Sequence, residues 1–222
     1  MAVVVAPAGR VALVAGATGL VGREILAALL ADERWHHIHC VGRRAPALQH
    51  ARLTSHTVDL RHLPALPAVD DAFIALGTTI KAAGSQQAFR ALDHDAVLAV
   101  AQAARAAGAT RLGLVSAMGA DARSRIFYNR VKGDVEAAVS TLGFETLVIG
   151  RPSLLAGDRA AIGQPARAGE RIGLLLSAVF RPLIPADYRV IQGRDVAGAL
   201  VAAVARGEAG QRILQSGQMQ PA

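Results

Sequence analysis

The chain is poor in cysteine, in aromatic residues and in long apolar runs, and each shortage narrows the classes of protein to which it can belong. Cys40 is the single cysteine among 222 residues, which excludes a disulfide framework within the chain and favours a reducing compartment. Aromatic residues make up 4%, too few for a surface that stacks single-stranded nucleic acid. The best apolar run, 172–180, is far shorter than the roughly 20 residues that span a bilayer.

Lysine is scarce too, and the net positive charge comes from arginines that are scattered along the chain. The formal net charge is +7, and arginine supplies nearly all of it because Lys81 and Lys132 are the only lysines. Since the arginines do not cluster, a nucleic-acid partner is disfavoured and a few anion-binding arginines are expected instead. With 52% hydrophobic and 18% charged residues, the composition predicts a folded protein, and the single cysteine and short apolar runs predict that it is cytoplasmic with no membrane span.

The most informative stretch is 11–30, which reads VALVAGATGLVGREILAALL. Small and branched apolar residues at 11–15 predict a buried parallel strand, and apolar residues at helical spacing from 20 to 30 predict a helix. Gly16, Gly19 and Gly22 stand between them. This is the context of a dinucleotide phosphate-binding turn, in which glycines permit the tight turn and close backbone approach, and the helix N-terminus faces the phosphates. The alternative is a small-residue loop that serves packing alone.

The second predicted strand, 38–41, ends in Gly42-Arg43-Arg44. In dinucleotide folds the end of this strand meets the adenosine ribose, where an acidic residue accepts from the 2′-hydroxyl and an arginine accommodates a 2′-phosphate. No acidic residue is present here, and guanidinium groups match phosphate geometry in pairs of hydrogen bonds. NADP(H) is therefore favoured over NAD(H). The alternative is that both arginines are simply solvated.

Further predicted strands also end in residues that suit a cofactor. The strand 53–58 ends at Asp59-Leu60, where the carboxylate can accept from an adenine amino group or cap the next turn. The strand 72–76 ends at Gly77-Thr78-Thr79, whose small side chains leave room for a cofactor. A polar loop over 81–87 and an alanine-rich helix over 92–107 are predicted to follow.

A second constellation lies on a helix predicted over 125–141. Tyr128 and Lys132 are four residues apart and therefore share one helical face. A neighbouring ammonium favours the phenolate, which makes such a pair a candidate general acid and base. Ser116, at the end of the strand 112–115, is placed to contact the same substrate oxygen. The alternative has Tyr128 packed beneath the helix and Lys132 solvated.

The alternation of strands and helices predicts an α/β fold with a doubly wound parallel sheet in three layers. The rest of the pattern comprises a strand at 144–149, a short strand at 188–191, a helix at 195–205 capped by an aspartate and an edge strand at 212–215, followed by a disordered tail. A single domain is predicted, with a tail at 1–10, a core at 11–150 and a small substrate-side region at 151–215. The apolar helix predicted at 172–180 could wall a pocket or form a homodimer face.

The polar segment 32–37 is predicted to connect the first helix to the second strand. His36, His37, His39 and Cys40 lie in or beside it, but they match no zinc-ligand spacing. No metal site is therefore expected.

These motifs resemble the atypical short-chain dehydrogenases/reductases, and more narrowly their Tat-interacting-protein branch. The resemblance rests on Gly16-Ala17-Thr18-Gly19-Leu20-Val21-Gly22, Gly42-Arg43-Arg44, Leu76-Gly77-Thr78-Thr79, Tyr128–Ala137 and Arg151-Pro152-Ser153. It implies a Rossmann fold, with Thr18, Leu20 and Val21 beside the phosphates and Lys132 also on the nicotinamide ribose. The strand-end residues Asp59, Leu60, Gly77, Thr78, Thr79, Arg151, Pro152 and Ser153 complete the predicted cofactor site.

Three functional hypotheses follow. The first is an NADP(H)-dependent oxidoreductase that transfers hydride to or from a small carbonyl or alcohol, with Ser116, Tyr128 and Lys132 as catalytic residues. The second is a non-catalytic NADPH-binding regulatory or redox-sensing protein, since the asparagine-rich turn of typical short-chain dehydrogenases is replaced by Gly77-Thr78-Thr79. The third, a sugar-nucleotide epimerase or dehydratase, ranks last because about 70 residues follow Arg151 and such enzymes need a larger substrate region.

Overall fold

Parallel β-strands form the centre of the molecule. The computed structural model describes residues 9–60, 62–156 and 185–221. The strands are β1 Arg10–Ala15, β2 Trp35–Gly42, β3 Leu53–Thr57, β4 Asp71–Ile74, β5 Arg111–Val115, β6 Thr146–Arg151, β7 Leu155–Ala156, β8 Ile191–Gln192 and β9 Gly210–Gln215. Seven of them form one sheet in the order β3-β2-β1-β4-β5-β6-β9, while β7 and β8 form a separate pair.

Helices cover both faces of this sheet. They are α1 Gly22–Ala31, α2 Ile80–Ala83, α3 Gln86–Arg90, α4 Val97–Ala106, α5 Phe127–Ser140 and α6 Gly193–Arg206. The apolar sides of α1 and α6 pack on one face, and those of α4 and α5 pack on the other. All pairs in the large sheet are parallel. The predicted doubly wound α/β/α Rossmann fold is confirmed.

The order in which successive strands are added to the sheet reverses at β1. The chain runs outward through β2 and β3, and then returns to place β4 on the other side of β1. Because the loops that follow β1 and β4 leave in opposite directions, a crevice opens at the carboxyl ends of these two strands. Ligands of open α/β sheets bind at such a switch point.

A buried carboxylate joins several strands at the opposite end of the sheet. Asp71, fully buried at the start of β4, accepts from Arg10 and Arg111 at 2.7 Å each and from the Trp35 indole N–H at 2.6 Å. These partners open β1, β5 and β2. Since a buried charge is costly unless it is paired, this cluster stabilises the relative placement of four strands.

Two predicted connections are instead regular structure. The predicted loop at 81–87 contains most of α2 and the start of α3, because Thr79 and Ser85 cap these helices by accepting from the amides of Ala82 and Ala88. The predicted helix at 92–107 is present, but its first turn, Ala91–Ala96, is π-helical. Trp35–His37, predicted as part of a connection, opens β2.

The C-terminal region differs from its prediction in several places. The edge strand is confirmed as β9, which pairs with β6 in parallel. The last helix begins at Gly193 and has no side-chain cap, so Asp195 lies in its first turn rather than capping it. In place of a strand at 188–191 there is a 3₁₀ turn, Ala186–Tyr188, followed by β8, and the predicted disordered tail contains a 3₁₀ turn, Ser216–Met219.

The predicted helix at 172–180 and nearly all of the predicted tail at 1–10 lie outside the described residues. Within the described ranges, no helix has both the length and the apolar character needed to cross a membrane.

Candidate functional site

The glycine turn after β1 is shaped by backbone that approaches too closely for a side chain. Gly16 has a φ of +89°, and a Cβ there would lie 2.5 Å from the Ala75 carbonyl oxygen after β4. A Cβ on Gly22 would lie 2.0 Å from the Gly16 carbonyl oxygen, so only glycine lets α1 start against the turn. Val21, at the N-cap of α1, makes no side-chain cap. The helix therefore presents amides and its positive dipole end to an anion, as a phosphate-binding turn requires.

Two adjoining cavities open over this turn. The β2-side cavity lies between the glycine turn and the end of β2, and the β6-side cavity lies between the turn and the ends of β5 and β6. They share Gly19, Ala75, Leu76, Gly77 and Thr78. The two cavities thus form one groove across the switch point, at the carboxyl edge of the sheet.

The β2-side cavity gathers the residues predicted to hold the adenosine half of a cofactor. Its lining includes Gly16, Thr18, Gly19, Arg43, Arg44, Leu60, Gly77 and Thr78. Arg43 and Arg44 are exposed at its rim. A further hollow continues from it past Arg43, Asp59 and Leu60 along a wall made mostly of alanine side chains. Guanidinium groups beside a phosphate cradle, followed by an apolar slot, fit the phosphates and base of a dinucleotide.

The β6-side cavity brings together the three residues predicted to be catalytic. Ser116, Tyr128 and Lys132 all line it, together with Leu20 and Val21 from the glycine turn and Pro152 and Ser153 after β6. Tyr128 is half-buried, and its ring packs on Phe89 with centroids 5.4 Å apart. Lys132 is buried one helical turn further along α5.

Asp93 is a residue of this site that the sequence prediction missed. Its Oδ1 lies 2.6 Å from Lys132 Nζ, and its Oδ2 accepts from the Thr78 amide at 2.9 Å. Burial raises the pKa of Asp93, while Lys132 and the Thr78 amide act in the opposite direction. Lys132, which we expected to face Tyr128, therefore has a carboxylate as its near partner. A signal was present in the sequence, since Asp93 precedes the buried Val97 by four residues on the apolar face of its helix.

Glu136 was missed as well. It is buried on α5, four residues after Lys132, and it accepts a hydrogen bond from the Ser116 hydroxyl. Arg151 donates to the same carboxylate through Nη2 at 2.5 Å and through Nε at 3.1 and 3.2 Å. The spacing of Tyr128, Lys132 and Glu136 places all three on one helical face, a pattern that could have been recognised in advance.

Three predicted cofactor-binding residues, Gly22, Thr79 and Arg151, line neither of the two cavities, and each has a contact of its own. Gly22 allows α1 to pack on the turn and lies outside both cavities. Thr79 caps α2 with its hydroxyl. Arg151 is paired with Glu136, and its Nη2 lies 2.5 Å from Oε2 of that carboxylate.

His37 and His39 on β2 contact side chains of β3, and neither lines the two cavities. His39 Nδ1 lies 3.1 Å from His56 Nε2 on β3, and the His37 ring is tilted by 59° against that of His39, with centroids 4.7 Å apart. Among the described residues, no group of three or more histidine, cysteine or acidic side chains is placed to hold a metal ion.

Comparison with protein families and relatives agrees with this geometry. The family described as NAD(P)H-binding matches residues 16–141, which contain the glycine turn and α5. Protein fmp52, mitochondrial, of Emericella nidulans is 42% identical over 175 residues, covering 73% of this chain and 73% of that protein. Protein HTATIP2 of Rattus norvegicus is 35% identical over 162 residues, covering 70% of this chain and 65% of that protein. The resemblance predicted from the sequence motifs is confirmed.

Solved structures give the same fold at low identity. A short chain dehydrogenase family protein from Francisella tularensis superposes with a TM-score of 0.67 at 12% identity, over 95% of this chain and 99% of that one. MoeE5, in complex with UDP-glucose and NAD, superposes with a TM-score of 0.68 at 17% identity, over 93% of this chain and 75% of that one. These likenesses concern the fold alone.

The cytoplasmic location predicted from composition is contradicted by the curated relatives. The proteins of Emericella nidulans, Coccidioides immitis and Scheffersomyces stipitis that match this chain are all named mitochondrial. The physical reason for the error is that a low cysteine count reports a reducing environment and not a particular compartment.

Proposed function

The chain belongs to the atypical short-chain dehydrogenases/reductases with an NAD(P)H-binding domain, and we propose that it is an NADP(H)-dependent oxidoreductase acting on a small carbonyl or alcohol. One observation carries this proposal: Ser116, Tyr128 and Lys132 line a single cavity that adjoins the glycine turn. A site for binding alone would not need a phenol, an ammonium and a hydroxyl around the place where a nicotinamide would lie.

Hydrogen-bond donors along the groove support the proposed NADP(H) cofactor. The uncapped start of α1 and the glycine turn suit a pyrophosphate, and Arg43 and Arg44 suit a 2′-phosphate. A bound nicotinamide would supply or accept the hydride. The protein contributes the acid and base groups and the orientation of the substrate.

Tyr128 is the proposed proton donor and acceptor. In reduction its phenol gives a proton to the carbonyl oxygen while hydride reaches the carbonyl carbon, and in oxidation both transfers reverse. Lys132 supplies positive charge on the same helical face, and Ser116 contacts the polar part of the substrate. The aromatic contact with Phe89 holds the Tyr128 ring at the cavity wall.

A non-catalytic NADPH-binding regulator is the second candidate, and the Lys132–Asp93 pair supports it. Lys132 Nζ lies 2.6 Å from the Asp93 carboxylate, so the ammonium has an ion-pair partner other than Tyr128. Under this alternative, Lys132 and Asp93 would brace the cofactor groove instead of serving proton transfer.

Replacement of Tyr128 by Phe separates these candidates. NADPH oxidation is measured with a panel of small ketones and aldehydes, and NADPH affinity is measured in parallel. Loss of a positioned acid is expected to reduce kcat at least about 100-fold while leaving NADPH affinity within about twofold. Tyr188→Phe is the matched control, because the second tyrosine is 66% exposed outside the cavity. Unchanged turnover in Tyr128→Phe would refute the catalytic assignment and leave the regulator.

The cofactor preference has its own experiment. Titrations of NADPH and NADH are compared in the wild type and in the double variant Arg43→Ala, Arg44→Ala. Loss of charge-assisted hydrogen bonds should weaken NADPH binding about 10- to 100-fold and leave NADH nearly unchanged. Arg123→Ala serves as control, because that side chain is 95% exposed in a loop. Equal affinities of the wild type for the two cofactors would refute the 2′-phosphate assignment.

A further inference from the structure

Ser116 and Glu136 form a hydrogen bond whose direction is fixed by chemistry. The Ser116 hydroxyl donates to Glu136 Oε1, and both residues are buried. Arg151, which carries only donors, occupies the other side of the carboxylate with Nη2 at 2.5 Å from Oε2. The backbone of Ser116 is held too, since its amide donates to the Gly150 carbonyl at 2.8 Å.

A hydroxyl has one proton, and Ser116 uses that proton in the hydrogen bond that it donates to Glu136. Ser116 lines the β6-side cavity, so the part of its oxygen that faces a substrate offers lone pairs only. A carboxylate has acceptors only, and the Glu136 carboxylate is also paired with Arg151, whose Nη2 lies 2.5 Å from Oε2. A ketone oxygen next to Ser116 would therefore meet an acceptor rather than a donor.

We propose that Glu136 is a positioning residue that fixes Ser116 as a hydrogen-bond acceptor, so the cavity selects substrates with a hydroxyl next to the carbon that exchanges hydride. The substrate class is then α-hydroxy carbonyl compounds and the vicinal diols formed from them. The reacting carbonyl oxygen receives the Tyr128 proton and the carbonyl carbon receives hydride, while the neighbouring hydroxyl donates to Ser116 without changing its bonding. The proposal rests on the oxidoreductase function proposed above and adds the substrate class.

Binding in a complex that cannot react tests this recognition apart from turnover. With NADPH saturating, dissociation constants are measured for a 1,2-alkanediol and for its 1-methoxy ether over several chain lengths. The ether keeps the oxygen as acceptor but has lost the donor. The wild type should bind the diol about fivefold to tenfold more tightly than the ether, because one buried hydrogen bond contributes a factor of about that size.

Glu136→Gln reverses the polarity of the contact. Arg151 must face the amide oxygen, because it offers only donors, and this turns the amide N–H₂ toward Ser116. The Ser116 proton is then free to point into the cavity and to donate to the ether oxygen. The preference for the diol should fall to within about twofold. A purely structural role of Glu136 would weaken both ligands without changing their ratio.

Two further variants complete the experiment. Ser116→Ala removes the acceptor and should abolish the preference for the diol over the ether without breaking the Glu136–Arg151 ion pair. It therefore tests the proposed recognition if Glu136→Gln fails to fold. Glu145→Gln makes the same chemical change at an exposed position and should keep the wild-type ratio.

The outcomes distinguish this proposal from the function on which it rests. A wild-type ratio retained in Glu136→Gln or in Ser116→Ala overturns the role of Glu136, as does a wild type that binds neither ligand or does not distinguish them. If α-hydroxy ketones and plain ketones are reduced with equal kcat/KM, the oxidoreductase function stands and the substrate class falls. A diol preference that depends on Glu136, without any NADPH turnover, supports the recognition and refutes the redox function.

Discussion

Lys132 Nζ lies 2.6 Å from Asp93 Oδ1, and the two side chains are 5% and 0% exposed. The second oxygen of Asp93 accepts from the Thr78 amide, so one carboxylate joins the π-helical turn to α5 and to the segment after β4. Thr78 belongs to both cavities. The pair therefore stands where the cofactor groove meets the proposed catalytic side chains, and π-helical turns are frequent at functional sites.

Asp93→Ala should destabilise the protein strongly. Removal of one partner leaves a buried ammonium without compensation, which costs about 3–5 kcal/mol in the free energy of unfolding. Urea denaturation followed by circular dichroism measures the loss. Asp95→Ala is the matched control, because that side chain is 63% exposed and its pairing with His94 is at the surface. Asp95→Ala should change the free energy of unfolding by less than about 1 kcal/mol. Equal losses in the two variants would contradict the buried pair.

The parts of the site that local spacing encodes were predictable from the sequence. Gly16, Gly19 and Gly22 follow from the geometry of a tight turn against a helix, and Tyr128 and Lys132 follow from helical periodicity. Each depends on residues close in sequence, so the pattern is present in the chain itself. The doubly wound parallel sheet also followed from the alternation of strands and helices, because parallel neighbours need crossover connections.

The choice of partners across the fold was not predictable in the same way. Lys132 could face Tyr128, solvent or an acidic residue from another helix, and only the packing of α5 on the π-helical turn selects Asp93. Ser116 and Arg151 likewise meet at Glu136 because β5, β6 and α5 converge there. Such contacts join distant segments, and their choice depends on burial and on tertiary packing rather than on spacing.

Gly22→Ala should abolish the phosphate-binding turn. A Cβ there would lie 2.0 Å from the Gly16 carbonyl oxygen, so α1 must move away from the turn, and NADPH affinity and stability should both fall. Gly198→Ala is the matched control within a helix, since a Cβ at that position meets nothing within 4 Å. Alanine is the better helix former, so Gly198→Ala should raise the free energy of unfolding by about 0.5–1 kcal/mol. NADPH titration and thermal unfolding measure both variants. Retained NADPH affinity in Gly22→Ala would refute the prediction that the turn needs the close approach of Gly22 to the Gly16 carbonyl.

Asp71→Ala should destabilise the sheet without altering the site. The change leaves the Arg10 and Arg111 guanidiniums and the Trp35 indole without their shared acceptor, at an expected cost of about 3–5 kcal/mol. Because Asp71 lies at the amino end of β4, the NADPH affinity of the folded fraction should stay within about twofold of wild type. Asp70→Ala removes one exposed hydrogen bond, to the Val11 amide, and should cost about 1 kcal/mol. If Asp71→Ala lowers the free energy of unfolding no more than Asp70→Ala does, the buried cluster around Asp71 does not stabilise the sheet.

His39 should make the protein less stable as pH falls. Burial, with repulsion from His37 and His56, lowers the pKa of His39 to about 4, whereas an unfolded histidine has a pKa of about 6.5. Between these values the unfolded chain binds the proton more readily, so the free energy of unfolding declines from about pH 6.5 to about pH 4, and this group adds no further loss below that range. His39→Gln should flatten the decline in urea denaturation series, whereas His62→Gln, at an 84% exposed side chain, should retain it. An undiminished slope in His39→Gln would assign the acid sensitivity to other groups.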